Sequence, residues 1–332
     1  MTGTDTENAK DARRERLFWA GAAAALLMLF VMGLYQLAQA DYSAQQYEHR
    51  RKLGAVYMTL NNPYYQVVDE EIRTVVENHG DVLITRDPAL SPERQEEEIR
   101  DLIADGVKVL FVTPADWREM APALQIAREA GVPVICIDTD VQDDDHVAGT
   151  VVSDNYQAGV QCAEHLMQHQ EGAHIALLLH AGARSAVDRI RGFSDTIAKD
   201  PRFVIVDRAE CEGQLEQAMP AMEEMLRRHP EIDTVMALND PAAMGAMAAL
   251  EHNARLMNVS VYGVDGVPET KEMIAKGLMT ATAGQSPRRT GRIAAEMAYH
   301  IFAGEDYPHY IKLPTHLITV ENVRDYNLEG WD

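Results

Sequence analysis

The residues able to do chemistry in this chain fall in short clusters, each just after an apolar run. Asn61-Asn62-Pro63-Tyr64-Tyr65 follows the first run, Thr113-Pro114-Ala115-Asp116-Trp117 the third and Asp138-Thr139-Asp140 the fourth. Further on, His180, Asn239-Asp240, Asp265-Gly266 and Gly284-Gln285 stand in the same relation to later runs. The set is amides, carboxylates, a histidine and aromatics. That mixture suits a polyol. A hydroxyl both donates and accepts, carboxylates accept from it, and amides do both. Bonds to charged partners are the stronger ones, and aromatic rings cover the C–H faces of a sugar ring. A phosphate ligand would need Lys, Arg or a glycine-rich loop at these places, and the clusters lack them.

Taken singly, each residue has a plainer role. Asn-Pro and Asp-Gly form turns, and Asn239 or Asp240 could cap the next helix. The functional reading rests on recurrence at five or six strand ends in both halves. Other chemistries lack their motifs: there is no Walker loop, GxGxxG, HExxH or GxSxG. The acidic run from Asp138 to His146 lacks the glycine and terminal glutamate of a calcium loop, so it reads as a solvated loop. Asp138 and Asp265 could pair as a hydrolase would, but nothing else supports catalysis. No catalytic residue, cofactor or metal is expected.

The elements that position these clusters follow from hydrophobic pattern. Strands are expected at 53–59, 81–86, 108–113, 132–138, 147–152, 174–180, 203–207, 233–238, 258–264 and 279–283. Helical stretches fill most gaps, among them 63–79, 117–130, 185–199 and 286–303. Many strands are near-continuous Val/Ile/Leu runs, as in parallel sheets covered on both faces. The alternation predicts a doubly wound α/β fold. Two sheets of five or six strands are more economical than one of ten. A first crossing between lobes is expected around Val151–Asn155, and a last strand over Tyr310–Val320 breaks at Pro314. In open sheets of this kind, ligands bind beyond the carboxyl ends of the strands.

Residues 1–16 are polar and end in Arg13-Arg14-Glu15-Arg16, and no charge follows from Leu17 to Ala40. Residues 17–40 are long enough to span a bilayer, and the basic flank puts the body outside the cytoplasm. A retained single-pass anchor is the expectation; the alternative is a signal segment cut at Ala38-Gln39-Ala40. A polar linker, 41–52, follows. The net charge of −22 disfavours nucleic acid. Cys136, Cys162 and Cys211 form no CxxC motif, and buried thiols are expected.

At the clusters above, the sequence resembles the periplasmic sugar-binding proteins of type I, closest to their ribose-binding branch. The resemblance spans roughly Leu53 to Val320. It is carried by Thr59-Leu60-Asn61-Asn62-Pro63-Tyr64-Tyr65, Val152-Ser153-Asp154-Asn155, Leu238-Asn239-Asp240, Gly263-Val264-Asp265-Gly266 and Gln285-Ser286-Pro287. It implies two lobes, 53–152 with 286–313 and 153–285 with 314–332, joined by hinges near Ser153, Gln285 and Pro314. It implies ligand contacts at Asn62, Tyr64, Tyr65, Asp138, Asn239, Asp265 and Gln285. Thr113 and Thr139 occupy positions where the family's ribose binders carry Asn and Arg. A second family arginine aligns near Val187, with Arg184 and Arg189 on either side. His180 and Trp117 complete the candidates. The implied ligand is thus a monosaccharide at large: ribose, another pentose such as xylose, a hexose or a cyclitol. The implied partner is an ABC permease, or else a histidine kinase or chemoreceptor that reads the closed form, and a monomer is expected. A LacI-type DNA-binding regulator shares the core but needs a basic helix-turn-helix where this chain has its apolar span.

Overall fold

The computed structural model describes residues 19–37, 50–142 and 144–331. The chain divides into two units. In the first, helix α1 (Trp19–Leu37) has 19 residues and a mean hydropathy of 1.8, and its large apolar side chains are exposed. At 1.5 Å per residue it is about 28 Å long, the thickness of a bilayer's hydrocarbon core. The expected basic flank at 1–16, the cleavage site at 38–40 and most of the 41–52 linker lie outside the described residues.

The second unit begins at Arg51. Its first stretch runs β1 (Lys52–Val56), α2 (Pro63–Asn78), β2 (Val82–Arg86), α3 (Pro92–Ala104), β3 (Leu110–Val112), α4 (Ala121–Glu129), β4 (Val134–Ile137) and β5 (Gly149–Ser153). The chain continues with α5 (Asn155–His169), β6 (Ala173–Leu179), α6 (Arg184–Ile197), β7 (Phe203–Glu210), α7 (Leu215–Arg228) and β8 (Thr234–Ala237). Then come α8 (Asp240–His252), β9 (Ser260–Asp265), α9 (Pro268–Ala275), β10 (Ala281–Gly284), α10 (Pro287–Ala303), β11 (Tyr310–Leu313) and β12 (His316–Thr319).

The strands form two six-stranded sheets, ordered β11-β5-β4-β3-β1-β2 and β12-β10-β9-β8-β6-β7. Every pairing is parallel except β10 with β12. Strands β3, β4, β5 and β8 are buried along their whole length, which is why they read as unbroken apolar runs. The protein is thus a two-lobed α/β fold with doubly wound, mainly parallel sheets.

The chain passes between sheets three times. It leaves the first sheet at Ser153, the end of β5, and returns between Gly284 and Pro287. It crosses again between Leu313 and His316, at Pro314 and Thr315. Helix α10 then packs on the first lobe: Arg292 pairs with Glu71 at 2.6 Å, and the Tyr299 hydroxyl donates to Asp81 Oδ2 at 2.9 Å.

One expected helix starts late. The 117–130 stretch becomes helical only at Ala121. Asp116 Oδ1 accepts from the backbone and guanidinium of Arg118, both at 2.9 Å, and folds residues 116–118 into a turn. Trp117 is therefore on a loop, off the helix.

Candidate functional site

Local chemistry sets the floor of the cleft on each lobe. Asn62 caps α2, accepting from Tyr64 N at 2.9 Å, with Pro63 at the first helical position. That cap fixes where Tyr64 and Tyr65 point. Both rings are buried and cross edge to face, their centroids 5.5 Å apart. The Tyr65 hydroxyl donates to Asp138 Oδ2 at 3.0 Å. On the other lobe Asn239 caps α8, accepting from Ala242 N at 3.0 Å, while its Nδ2 donates to Gly213 O at 3.1 Å. So the capping role and a place in the cleft hold together for Asn62 and Asn239.

The two carboxylates of the cleft sit on strained backbone. Asp138 has φ +70°, inside a three-residue turn closed by Thr139 N donating to Ile137 O at 2.8 Å. Asp265 has φ +139°. Non-glycine residues in such regions cost about 1–3 kcal/mol each and gather at functional sites. Asp240 holds the second turn in place. Its buried carboxylate accepts from Gly266 N, Val267 N, Thr270 Oγ1 and Thr282 Oγ1 at 2.8, 3.0, 2.6 and 2.7 Å. Asp240 is saturated and serves the loop.

Between the carboxylates lies Arg189, which is 4% exposed. Its Nε donates to Asn155 Oδ1 at 2.8 Å and Nη1 to Leu238 O at 3.0 Å. Nη2 stands 3.8 Å from Asp138 Oδ1, and Nη1 3.6 Å from Asp265 Oδ1. Burial pushes both carboxyls above the usual range, and the guanidinium pulls them back. Asp265 is held up at about 8, with Asp240 and Asp138 adding like-charge repulsion. Gln285 Nε2 donates to Asp265 Oδ1 at 2.7 Å, whereas Asp265 Oδ2 is buried with no hydrogen-bond donor. Burial also lowers the affinity of His180 for its proton, against the pull of Glu210 and Glu212.

These side chains border about 380 Å³ of empty space, part of it open to solvent. Of the candidates from sequence, Asn62, Tyr64, Tyr65, Asp138, His180, Arg189, Asn239 and Asp265 line it. Five others stand back from it. Thr113 is fully buried, with its hydroxyl unpaired and its carbonyl taken by Gln95 Nε2 at 2.9 Å. Thr139 Oγ1 accepts from Ser185 N across the lobes at 2.9 Å. Gln285 reaches the cavity only through Asp265. Trp117 and Arg184 contact each other, with the guanidinium carbon 5.0 Å from the ring centroid.

Of the two arginines on either side of Val187, Arg189 is the one that enters the cavity. It lies on the second turn of α6, away from the strand ends where the sequence directs attention. Sequence reasoning also missed Met58, Thr59, Ser185, Glu212 and Gln214 in the lining. The end of β7 carried the available signal, since Glu212-Gly213-Gln214 follows that strand just as the other clusters follow theirs. Gln214 Oε1 accepts from Asn61 Nδ2 of the opposite lobe at 2.7 Å.

The acidic run reaches Asp143, which lies outside the described residues. Among the described residues no group of three or more His, Cys, Asp or Glu side chains is placed to hold a metal. Cys136, Cys162 and Cys211 are buried.

Known proteins resemble this chain in sequence and fold. A family described as the periplasmic binding protein domain matches residues 53–306. The ribose import binding protein of Salmonella typhimurium is 28% identical over 267 residues, 79% of this chain and 89% of that protein. A solute-binding protein of an ABC transporter from Mycobacterium smegmatis, solved with bound glycerol, is 29% identical. It superposes with a TM-score of 0.78 over 85% of this chain and all of its own. Another, from Bacillus halodurans with bound myo-inositol, is 25% identical, with a TM-score of 0.78 over 83% of this chain and 97% of its own. The chain belongs to the periplasmic binding proteins, as a type I sugar-binding protein and not an enzyme.

Proposed function

We propose that this protein closes on one neutral monosaccharide or cyclitol between its lobes and delivers it to an ABC importer. The observation that carries the reading is the buried trio of Asp138, Arg189 and Asp265. An anionic ligand would set a further negative charge beside two buried carboxyl groups whose ionisation burial already opposes. The trio favours hydroxyls, which donate to carboxylates and accept from the guanidinium. Asp265 Oδ2, buried with no hydrogen-bond partner, is placed to pair with one such hydroxyl. Tyr64 and Tyr65 supply aromatic surface for the ring faces, and Asn62 and Asn239 supply amides.

The pentose, hexose or cyclitol is set by the hydroxyl pattern that these groups read. Thr139, where the ribose binders of the family carry an arginine, supports a ligand range beyond ribose, and the relatives with ribose and myo-inositol mark two directions. Ser153, Gln285 and Pro314 act as hinges, since each lies where the chain passes between sheets. Ligand binding shifts the population to the closed form. Helix α1 anchors the body to the outer face of the membrane; the alternative is release by cleavage after Ala40. A tether of this kind also supports a second reading, in which a histidine kinase or chemoreceptor in the same membrane recognises the closed form.

One preparation tests the reading. The full-length chain is expected in the membrane fraction at its uncleaved mass. Its melting temperature is then recorded against pentoses, hexoses, cyclitols and amino acids, since a ligand of the folded form raises it. A rise of several degrees with a monosaccharide or cyclitol, lost in Asp265→Ala, is expected. A rise with amino acids alone overturns the sugar assignment, and a chain cut after Ala40 overturns the anchor.

A further inference from the structure

Trp117 and the loop 181–184 belong to opposite lobes, and they meet through Ala181, Gly182 and Arg184, beside the cavity that Ala183 lines. Trp117 N donates to Gly182 O at 3.0 Å, and its indole Nε1 donates to Ala181 O at 3.2 Å. The Arg184 guanidinium lies over the indole, with its carbon 5.0 Å from the centroid, and is held there by Asp188 at 3.1 Å. The approach is close: a Cβ on Gly182 would stand 3.2 Å from Ala115 O. Trp117, Gly182 and Arg184 are all absent from the cavity lining.

We infer that Trp117 and the 181–184 loop form a clasp that sets how strongly the lobes close, and so the affinity for every sugar alike. The inference rests on the hinge-closure reading above. These contacts join groups on separate lobes, so hinge opening breaks them. Apparent affinity is the intrinsic affinity scaled by the closed fraction. Weakening the clasp therefore multiplies the dissociation constant by one factor for all ligands. A residue that touched the sugar would instead change one hydroxyl pattern more than another.

The clasp also holds a closed fraction without sugar, which gives a readout free of ligand identity. Spin labels are placed at Glu97→Cys on α3 and Glu216→Cys on α7 of the full-length chain. Both positions are exposed, and both helices lie toward the sheet edges away from the crossing strands. The three native cysteines are buried. In the sugar-free chain, Trp117→Ala and Arg184→Ala are expected to shift the label distances toward the open form. Trp117→Phe keeps the ring, loses the Nε1 donor and falls between. Dissociation constants for D-ribose and myo-inositol are expected to rise by a common factor, roughly fivefold to tenfold for a lost hydrogen bond and cation–π contact. Unchanged label distances in all three variants overturn the clasp. A rise confined to one sugar overturns it as well and makes Trp117 a ligand contact. If neither compound binds the unmodified chain, the assignment to these sugars fails, and the sugar-free distances still decide the clasp.

Discussion

Asp265 carries an electrostatic cost in the cleft, and that cost is measurable. Burial holds its carboxyl at about 8, whereas the ordinary value is 3.8. Between those values the folded chain keeps a proton that the unfolded chain has lost. Stability contributed by the group is therefore complete below about 4 and falls as pH rises toward about 8. Asp265→Asn, which cannot titrate, is expected to flatten part of that fall in the sugar-free protein. Melting temperatures at stepped pH check this, and an unchanged slope would mean that Asp265 ionises normally. At this scale the sequence was half legible. Asp138, Asn239 and Asp265 announce themselves by following strands. Arg189 does not, because it enters from a helix face, and only the fold brings Asn155, Leu238 and two carboxylates around it. Thr113 follows a strand too, yet it points into packed protein, a direction that spacing alone leaves open.

The elements that aim Arg189 are α5 and α6, which pack closely because each offers a glycine. A Cβ at Gly159 would collide with the Arg189 carbonyl, and one at Gly192 with the Tyr156 carbonyl. Both obstacles are backbone and cannot turn aside. Gly192→Ala is expected to destabilise the fold by about 1–3 kcal/mol through overpacking. It is also expected to weaken sugar binding, because forcing the helices apart moves the arginine. Chemical denaturation and ligand titration of the same variant check both; full stability with full affinity would contradict the argument. Most strands and helices were legible from apolar runs, since both-face burial leaves the strands little room for polar residues. The exception is instructive. The start of α4 was misplaced because Asp116 competes for the backbone and spends residues 116–118 on a turn, and that turn puts Trp117 where it meets the other lobe.

For the whole molecule, the two sheets supply complementary halves of one site. Asn62, Tyr64, Tyr65 and Asp138 come from the lobe of β1 to β5, and Arg189, Asn239 and Asp265 from the lobe of β6 to β10. Neither half alone surrounds the cavity, so the proposed function makes recognition and closure one event. The sequence conveyed this plan through two successive rounds of the same strand-helix pattern. It could not convey which loops touch across the lobes, such as Asn61 with Gln214 or Thr139 with Ser185. Those pairings lie 153 and 46 residues apart and depend on the lobes being folded and facing. The most direct test is a crystal structure with the sugar or cyclitol that most raises the melting temperature. The account predicts one ligand in the cleft, with hydroxyls on Asp138, Arg189 and Asp265 and a ring face against Tyr64 or Tyr65. A ligand held by one lobe alone, or lodged away from these residues, would contradict it.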